Sequence, residues 1–600
     1  MRFVWAVVAF LAAVGLIGGG VAQLTVLRGP DTVTSEVAPA DEELAYTLVD
    51  SAVLAQHPGQ QTLTAAADGE VFAAYGRTTD LEAWLSDVSY NHATLDEGEV
   101  SVESVDATDV FADLGERGTV DPRGSDLWIE EQVADGELTE QFTLPEGMSL
   151  LLATDGAAPA PQEVSVSWPV TVTTPWAGPL IVAGGIALVI GLVLWVLGMI
   201  HLRRRRGPRR KGPQQPSRRA IGGRRGGRRE VGPGARRAFA AIPAFVLAGA
   251  VLAGCSPTAW PDLSSAPAPT PTEEETAQPD EEQQTPAMTQ AQSERIVTSI
   301  AQTVQKADEE RDLDRLGSRM TDTAYELRSV NYDIRGEVSD HAMPPAIPEG
   351  PVQVLLPQAN DGWPRTALVV VGEEDGETSP TIFTMTQSDP WSRYKASYIG
   401  TIGPNVEIPA LAPAWLGAAL VPPDSSFLQI APDQIGRAYA DVIAKGEDSE
   451  YASLFDLEND PFRAALKEKR DTTRTHFDET AESDDLGERT AEIDFSQGAS
   501  DAAPVALATL DSGAIVSVAL RDWETIRATN EDATIQITDP LVQHLTGEEE
   551  TATGVQTRYE SELFFFVPAR AAEEPIRLLG FGYGIVGSEI LPEEDEDAGE

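Results

Sequence analysis

Six hundred residues are more than one hydrophobic core covers, so the length points to three or four folded units. Lys and Arg number 43 against 96 Asp and Glu, and a single cysteine excludes an intrachain disulfide framework. The charge is uneven: residues 203–237 hold fifteen basic residues and one acid, which leaves 28 basic and 95 acidic residues elsewhere.

The chain opens on an apolar run, "FVWAVVAFLAAVGLIGGGVA" (3–22), long enough and free enough of charge to cross a bilayer. It reads either as an anchor or as a signal removed after Ala22. Residues 24–175 follow as a small β-rich or α+β domain. In it "DEELAYTLVDSAVL" carries Leu44, Leu48 and Ala52 at helical spacing. "EVSVESV", "SLLLATDG" and "EVSVSWPVTV" read as strands, the last alternating Val164, Val166 and Trp168 against Ser165 and Ser167.

A second span covers 176–200, with Trp176 and Trp195 suited to the two interfaces. The basic stretch 201–237 begins at Arg203, Arg204, Arg205, Arg206, Arg209, Arg210 and Lys211. Such a run can hold nucleic acid phosphates or anionic headgroups. Gly and Pro interrupt it, no aromatic residue is interleaved, and apolar runs flank it, so topology setting and lipid contact are favoured over nucleic acid. The positive-inside rule places it in the cytoplasm.

The third apolar run, "AFAAIPAFVLAGAVLAG" (238–254), ends at the lone cysteine, Cys255. A basic flank, an apolar stretch and small residues make a secretory signal. Leu252, Ala253, Gly254 and Cys255 resemble the lipobox of bacterial lipoproteins, which implies a lipidated Cys255. The alternative is a third transmembrane helix ending there. Both readings put 24–175 and 256–600 outside, and both make the bilayer a partner.

Residues 256–289 are rich in Pro, Glu, Gln and Thr and read as a disordered tether. Then Thr289 and Gln292 form a possible capping box, followed by Ile296, Ile300, Val304 and Ala307 on one helical face. Strand candidates "VQVLL", "TALVVV", "TIFTMT" and "RYKASYIGTI" come next. The order then recurs. "DQIGRAYADVIAKG" and "FRAALKEKRDTTRTHF" read as helices, and "APVALATL", "AIVSVAL", "ATIQIT", "ELFFFV" and "IRLLGFGYGIVG" as strands.

Two units with helices before a run of strands, 290–410 and 430–590, resemble tandem NTF2-like α+β domains, and "DPWSRYKASY" is similar to a strand near the end of such domains. Residues 591–600 form an acidic tail. The whole layout resembles a family of actinobacterial envelope proteins with a lipoprotein-like half and a C-terminal domain of unknown function. The Arg and Lys usage (37 and 6) matches that origin in composition. The resemblance implies a Gram-positive plasma membrane and carries no catalytic residues.

Three motifs fail on context. "GYGIVG" (582–587) has the glycine spacing of a dinucleotide fingerprint, but only thirteen residues follow it, with no room for a βαβ unit. "SRYK" (392–395) lacks the Lys-Thr-Gly partner of penicillin-recognising enzymes. "ADEERDLDR" and the acidic tail lack the spaced ligands and Gly turn of a calcium loop. The histidines, including His57, His341 and His544, stand singly. The expectation is therefore a membrane-anchored, exported envelope protein that binds or scaffolds another envelope protein or a wall component, without catalytic residues, cofactor or metal. A small-ligand receptor and a carboxylate-based glycan hydrolase are the alternatives.

Overall fold

A computed structural model describes residues 2–204 and 287–593, apart from 28–31, 58–59, 109, 112–117, 143, 145–146, 170–173, 373–378, 405, 481–488 and 531–532. The proposed lipobox Leu252, Ala253, Gly254 and Cys255, the third apolar run, the rest of the basic loop (Arg205, Arg206, Arg209, Arg210, Lys211) and most of the tether lie outside the described residues. The described residues form a mixed α+β architecture with two helices long and apolar enough to cross a membrane by length and composition.

These two helices, α1 (Arg2–Thr25) and α4 (Ala177–Arg204), pack against each other in antiparallel fashion. Small residues recur every seven positions on both facing stripes: Ala6, Ala13 and Gly20 on α1, and Ala177, Gly184, Gly191 and Gly198 on α4, all buried. A seven-residue repeat keeps one stripe of each helix against its partner, and small side chains let the backbones approach. The large apolar side chains face outward, Leu11 at 68 % and Val189 at 60 % exposure. A Cβ on Gly184 would lie 2.6 Å from Ile17 Cγ1 and 2.9 Å from the Ile17 nitrogen. Gly184→Leu should therefore push the helices apart, at a cost of about 1–3 kcal/mol. A Gly20→Cys, Ile181→Cys pair in a Cys255→Ser background should oxidise readily, and adding Gly184→Leu should leave both thiols open to a gel-shifting maleimide. Unchanged disulfide yield would refute the contact.

Between the helices lies the first domain. Its strands are β1 (Thr32–Glu36), β2 (Tyr46–Val49), β3 (Gln61–Arg77), β4 (Tyr90–Asp96), β5 (Glu99–Val105), β6 (Glu130–Phe142), β7 (Met148–Ala153) and β8 (Glu163–Pro169). They run in the order β1-β8-β3-β7-β2-β4-β5, with β6 on β3. Short helices α2 (Ser51–Leu54) and α3 (Thr78–Trp84) accompany them. The helix expected over "DEELAYTLVDSAVL" is confined to its last four residues, α2, and its middle is strand: all four residues of β2 are buried between β7 and β4. A strand buried on both faces has a continuous apolar run, which periodicity cannot separate from a helix.

The second half begins with α5 (Gln290–Glu310), whose capping box on Thr289 and Gln292 forms as expected. Helices α6 (Leu313–Gly317) and α7 (Asp322–Glu337) follow, then β9 (Val352–Pro357), β10 (Arg365–Val371), β11 (Thr381–Gln387) and β12 (Lys395–Ile402). The recurrence supplies α8 (Pro432–Lys445), α9 (Pro461–Thr480), β13 (Ala491–Ala499), β14 (Val505–Ala508) and β15 (Ala514–Ala528). It closes with β16 (Ile535–Gln536), α10 (Pro540–Thr546), β17 (Glu550–Thr551), β18 (Gly554–Val567) and β19 (Arg577–Ile590).

Both units share one sheet, in the order β13-β15-β18-β19-β12-β11-β10-β9, joined where Thr401 and Ile402 pair with Phe581 and Gly580. The "GYGIVG" stretch lies inside β19, and its first glycine allows that junction. A Cβ on Gly582 would lie 2.5 Å from the Ile399 carbonyl oxygen. Alternation along the strands divides the core. Ala367, Val369 and Val371 face α5–α7, and Leu563, Phe565 and Val567 face α8 and α9. Leu368, Val370, Phe564 and Phe566 turn to the opposite side and form one core common to both units.

Candidate functional site

Charge is expensive inside a protein unless paired, so buried ionic groups mark the places where folding energy has been committed to something other than packing. The first such place is the seam between the first domain and the second half. Asp126, in the loop before β6, is 1 % exposed and receives a two-pronged bond from Arg319, with Nη1–Oδ2 at 2.5 Å and Nη2–Oδ1 at 3.0 Å. The Tyr394 backbone N–H donates to Asp126 as well, at 2.7 Å. Asp80 on α3 is held by Arg77 of its own domain and by Arg365 from across the seam, the latter at 2.8 Å.

Backbone carbonyls complete the seam. Gln292 donates to Leu127 O at 2.8 Å, Arg295 to Ser125 O at 3.0 Å, Arg77 to Ala287 O at 2.9 Å, and the Trp391 indole to Trp84 O at 2.8 Å. Phe111 packs edge-on against Trp363 and Trp391, with centroids 5.8 and 5.5 Å away, and the Arg365 guanidinium lies 3.6 Å above the Trp363 ring. "DPWSRYKASY", read as the end of an α+β unit, thus supplies Trp391 and Tyr394 to this seam. Ser392 of "SRYK" bonds Asp389 within the same turn, at 2.5 Å.

The second place lies between α9 and the sheet. Lys469 Nζ donates to the Tyr583 hydroxyl at 2.7 Å, sits 3.3 Å above the Tyr559 ring and is 3.9 Å from Glu524. Tyr559 and Tyr583 stack at 5.4 Å, and neighbouring Arg470 pairs with Asp522. Burial pushes the Lys469 ammonium below its ordinary range, and Glu524, Asp522 and Asp539 only partly oppose this. Burial also raises Asp522 and Glu524, against the pull of Arg470 and Lys469. The cluster therefore holds a desolvated amine beside a neutral tyrosine and a carboxylate, with the lysine side chain 32 % exposed. Amine labelling across a pH series, read by mass spectrometry, should give Lys469 a lower half-reaction pH than exposed Lys467. Coincident profiles would show that burial does not act on this amine.

A third buried acid, Glu562 on β18, accepts from Thr323 Oγ1 at 2.9 Å, and burial pushes it up to about 8. The acidic "ADEERDLDR" stretch is partly internal too: Asp308 pairs with Arg328 and accepts from Tyr332. Among the described residues, no group of three or more His, Asp or Glu could hold a metal ion.

Of the lipid-contact and lipobox candidates from the sequence, Arg203 and Arg204 end α4 and the others lie outside the described residues, while Trp176 and Trp195, the expected interfacial anchors, are 63 and 44 % exposed. Asp80, Asp126, Arg319, Arg365, Lys469 and Glu524 were not singled out, since in sequence each is one charged residue among many, as Lys469 is in Leu-Lys-Glu-Lys-Arg-Asp. No curated protein and no solved structure matches the chain. Residues 284–589, from just before α5 almost to the end of β19, match the family described as a domain of unknown function, DUF8094. That match takes in one flank of the seam, both helix-and-strand units and just over half of the chain, which therefore belongs to the DUF8094 family.

Proposed function

We propose that this protein is a membrane-anchored, exported module of the actinobacterial cell envelope that binds or scaffolds another envelope protein or a wall component. The observation that carries the reading is the filled interior of the helix-backed sheet. Tyr439, Phe462 and Phe565 are buried there, with Tyr439 and Phe565 edge-to-face at 4.9 Å, so protein occupies the space an NTF2-like cone would offer a ligand. The seam supports it further, because it makes the two outside portions one body, held to the bilayer by α1 and α4. The basic residues from Arg203 onward keep the loop cytoplasmic. The Lys469–Tyr583 cluster favours a second reading, a small-ligand receptor, because its lysine is partly open to solvent against two stacked tyrosine rings.

Single cysteines at Val133, Leu510 and Ser217, in a Cys255→Ser background, test the topology. A membrane-impermeant maleimide on intact cells should label the first two and leave Ser217→Cys unlabelled until the cells are opened. Labelling of Ser217→Cys from outside, or silence at both other positions, would sink the reading. For binding, a photocrosslinker at Trp415 or Phe427, exposed by 66 and 82 %, should give a discrete adduct in cells. No adduct at either position would count against it.

A further inference from the structure

The DUF8094 match begins at residue 284, so the seam joins family residues to a domain outside the match. Each seam contact described above between the two halves links residues 77–128 to residues 287–394. We infer that Arg319, Arg365, Trp363 and Trp391 form a docking face on the DUF8094 domain for a partner domain with inward-facing aspartates, and that the first domain is that partner as a separable subunit. The association does not depend on the peptide chain through 205–286.

Three features support separability. Tryptophan and arginine, with aromatic rings interlocked across the boundary, are the usual anchors of protein–protein interfaces. Asp126, Arg319 and Arg365 have their oppositely charged partners only in the docked state, whereas Asp80 also holds Arg77 of its own domain. Asp126 takes its side-chain cation and a backbone N–H from the other half, and Arg319 and Arg365 are each 1 % exposed at the side chain. A wrong partner would leave these charges buried and unpaired, so the same pairs select the right one. Buried pairs are also screened little by salt. The inference is independent of whether α1 and α4 cross a bilayer and rests only on the seam.

The test uses the full chain in detergent, with an affinity tag at the N-terminus and a specific protease site inserted between Thr276 and Ala277, bound to resin and cut to completion. The fragment beginning at Ala277 should stay with the tagged N-terminal fragment on the resin through a wash in 1 M NaCl. Asp126→Arg should weaken retention roughly 100-fold or more, and adding Arg319→Asp should recover much of it. Release of the cut wild-type fragment would overturn the inference. Equal retention of the Asp126→Arg fragment would overturn it too, since something other than the seam would then hold the halves together.

Discussion

Replacing Asp126 by alanine should lower the stability of the full chain by about 3–5 kcal/mol, among the largest losses for a single substitution outside the apolar cores. The side chain is fully enclosed, and its removal takes the counter-charge from the Arg319 guanidinium and leaves the Tyr394 N–H without its acceptor. Arg319 keeps only its bonds to Ser299 Oγ at 2.7 Å and Tyr394 O at 3.3 Å. Arg319→Met should cost a similar amount by leaving the carboxylate unpaired. The double variant Asp126→Leu, Arg319→Met should recover much of the loss, because no charge is then left buried alone. Thermal unfolding of the three variants in detergent checks this. If the double variant loses the sum of the two single losses, the pair is not the unit of stability.

Glu562→Gln should stabilise the protein at neutral and alkaline pH and leave it nearly unchanged below pH 4.5. Burial moves Glu562 from its ordinary value of 4.5 to about 8, opposed by the bond from Thr323, the Ile399 N–H and the charge of Arg328, with Glu560 adding to the rise. The fold therefore binds a proton more tightly than the unfolded chain does. The stability that proton brings is complete below pH 4.5 and is lost progressively as the pH rises to about 8. The full span is worth on the order of 5 kcal/mol. Glutamine keeps an acceptor for Thr323 and Ile399 and has no proton to lose. The Tm difference between variant and wild type should open from near zero at pH 4.5 to several degrees at pH 8. A difference that stays flat with pH would show that Glu562 does not titrate in this window.

Much of this architecture follows from local pattern. The heptad stripes of α1 and α4, the Thr289–Gln292 cap and the alternation in β8 can be read along a few turns or a few strand residues, because backbone geometry imposes their periods. The strand buried on both faces, β2, defeats the same logic, since nothing in its apolar run distinguishes two covered faces from a helix. β3, at 17 residues the longest strand of the first domain, was not anticipated: small Ala and Gly residues dilute its alternation.

By itself, the amino-acid sequence determined the two apolar helices, the basic end of the second, the capped helix α5 and the recurring order of helices and strands. Only the tertiary structure decided that Asp126 meets Arg319, 193 residues away, that β12 joins β19 into one sheet, and that Lys469 lies over Tyr559 and donates to Tyr583. The difference is physical. A repeat or a cap is stabilised by neighbours a few residues distant, so its signal is written where it acts. A buried ion pair is stabilised by a partner that the chain supplies from elsewhere, and before folding each member is one charged residue among many.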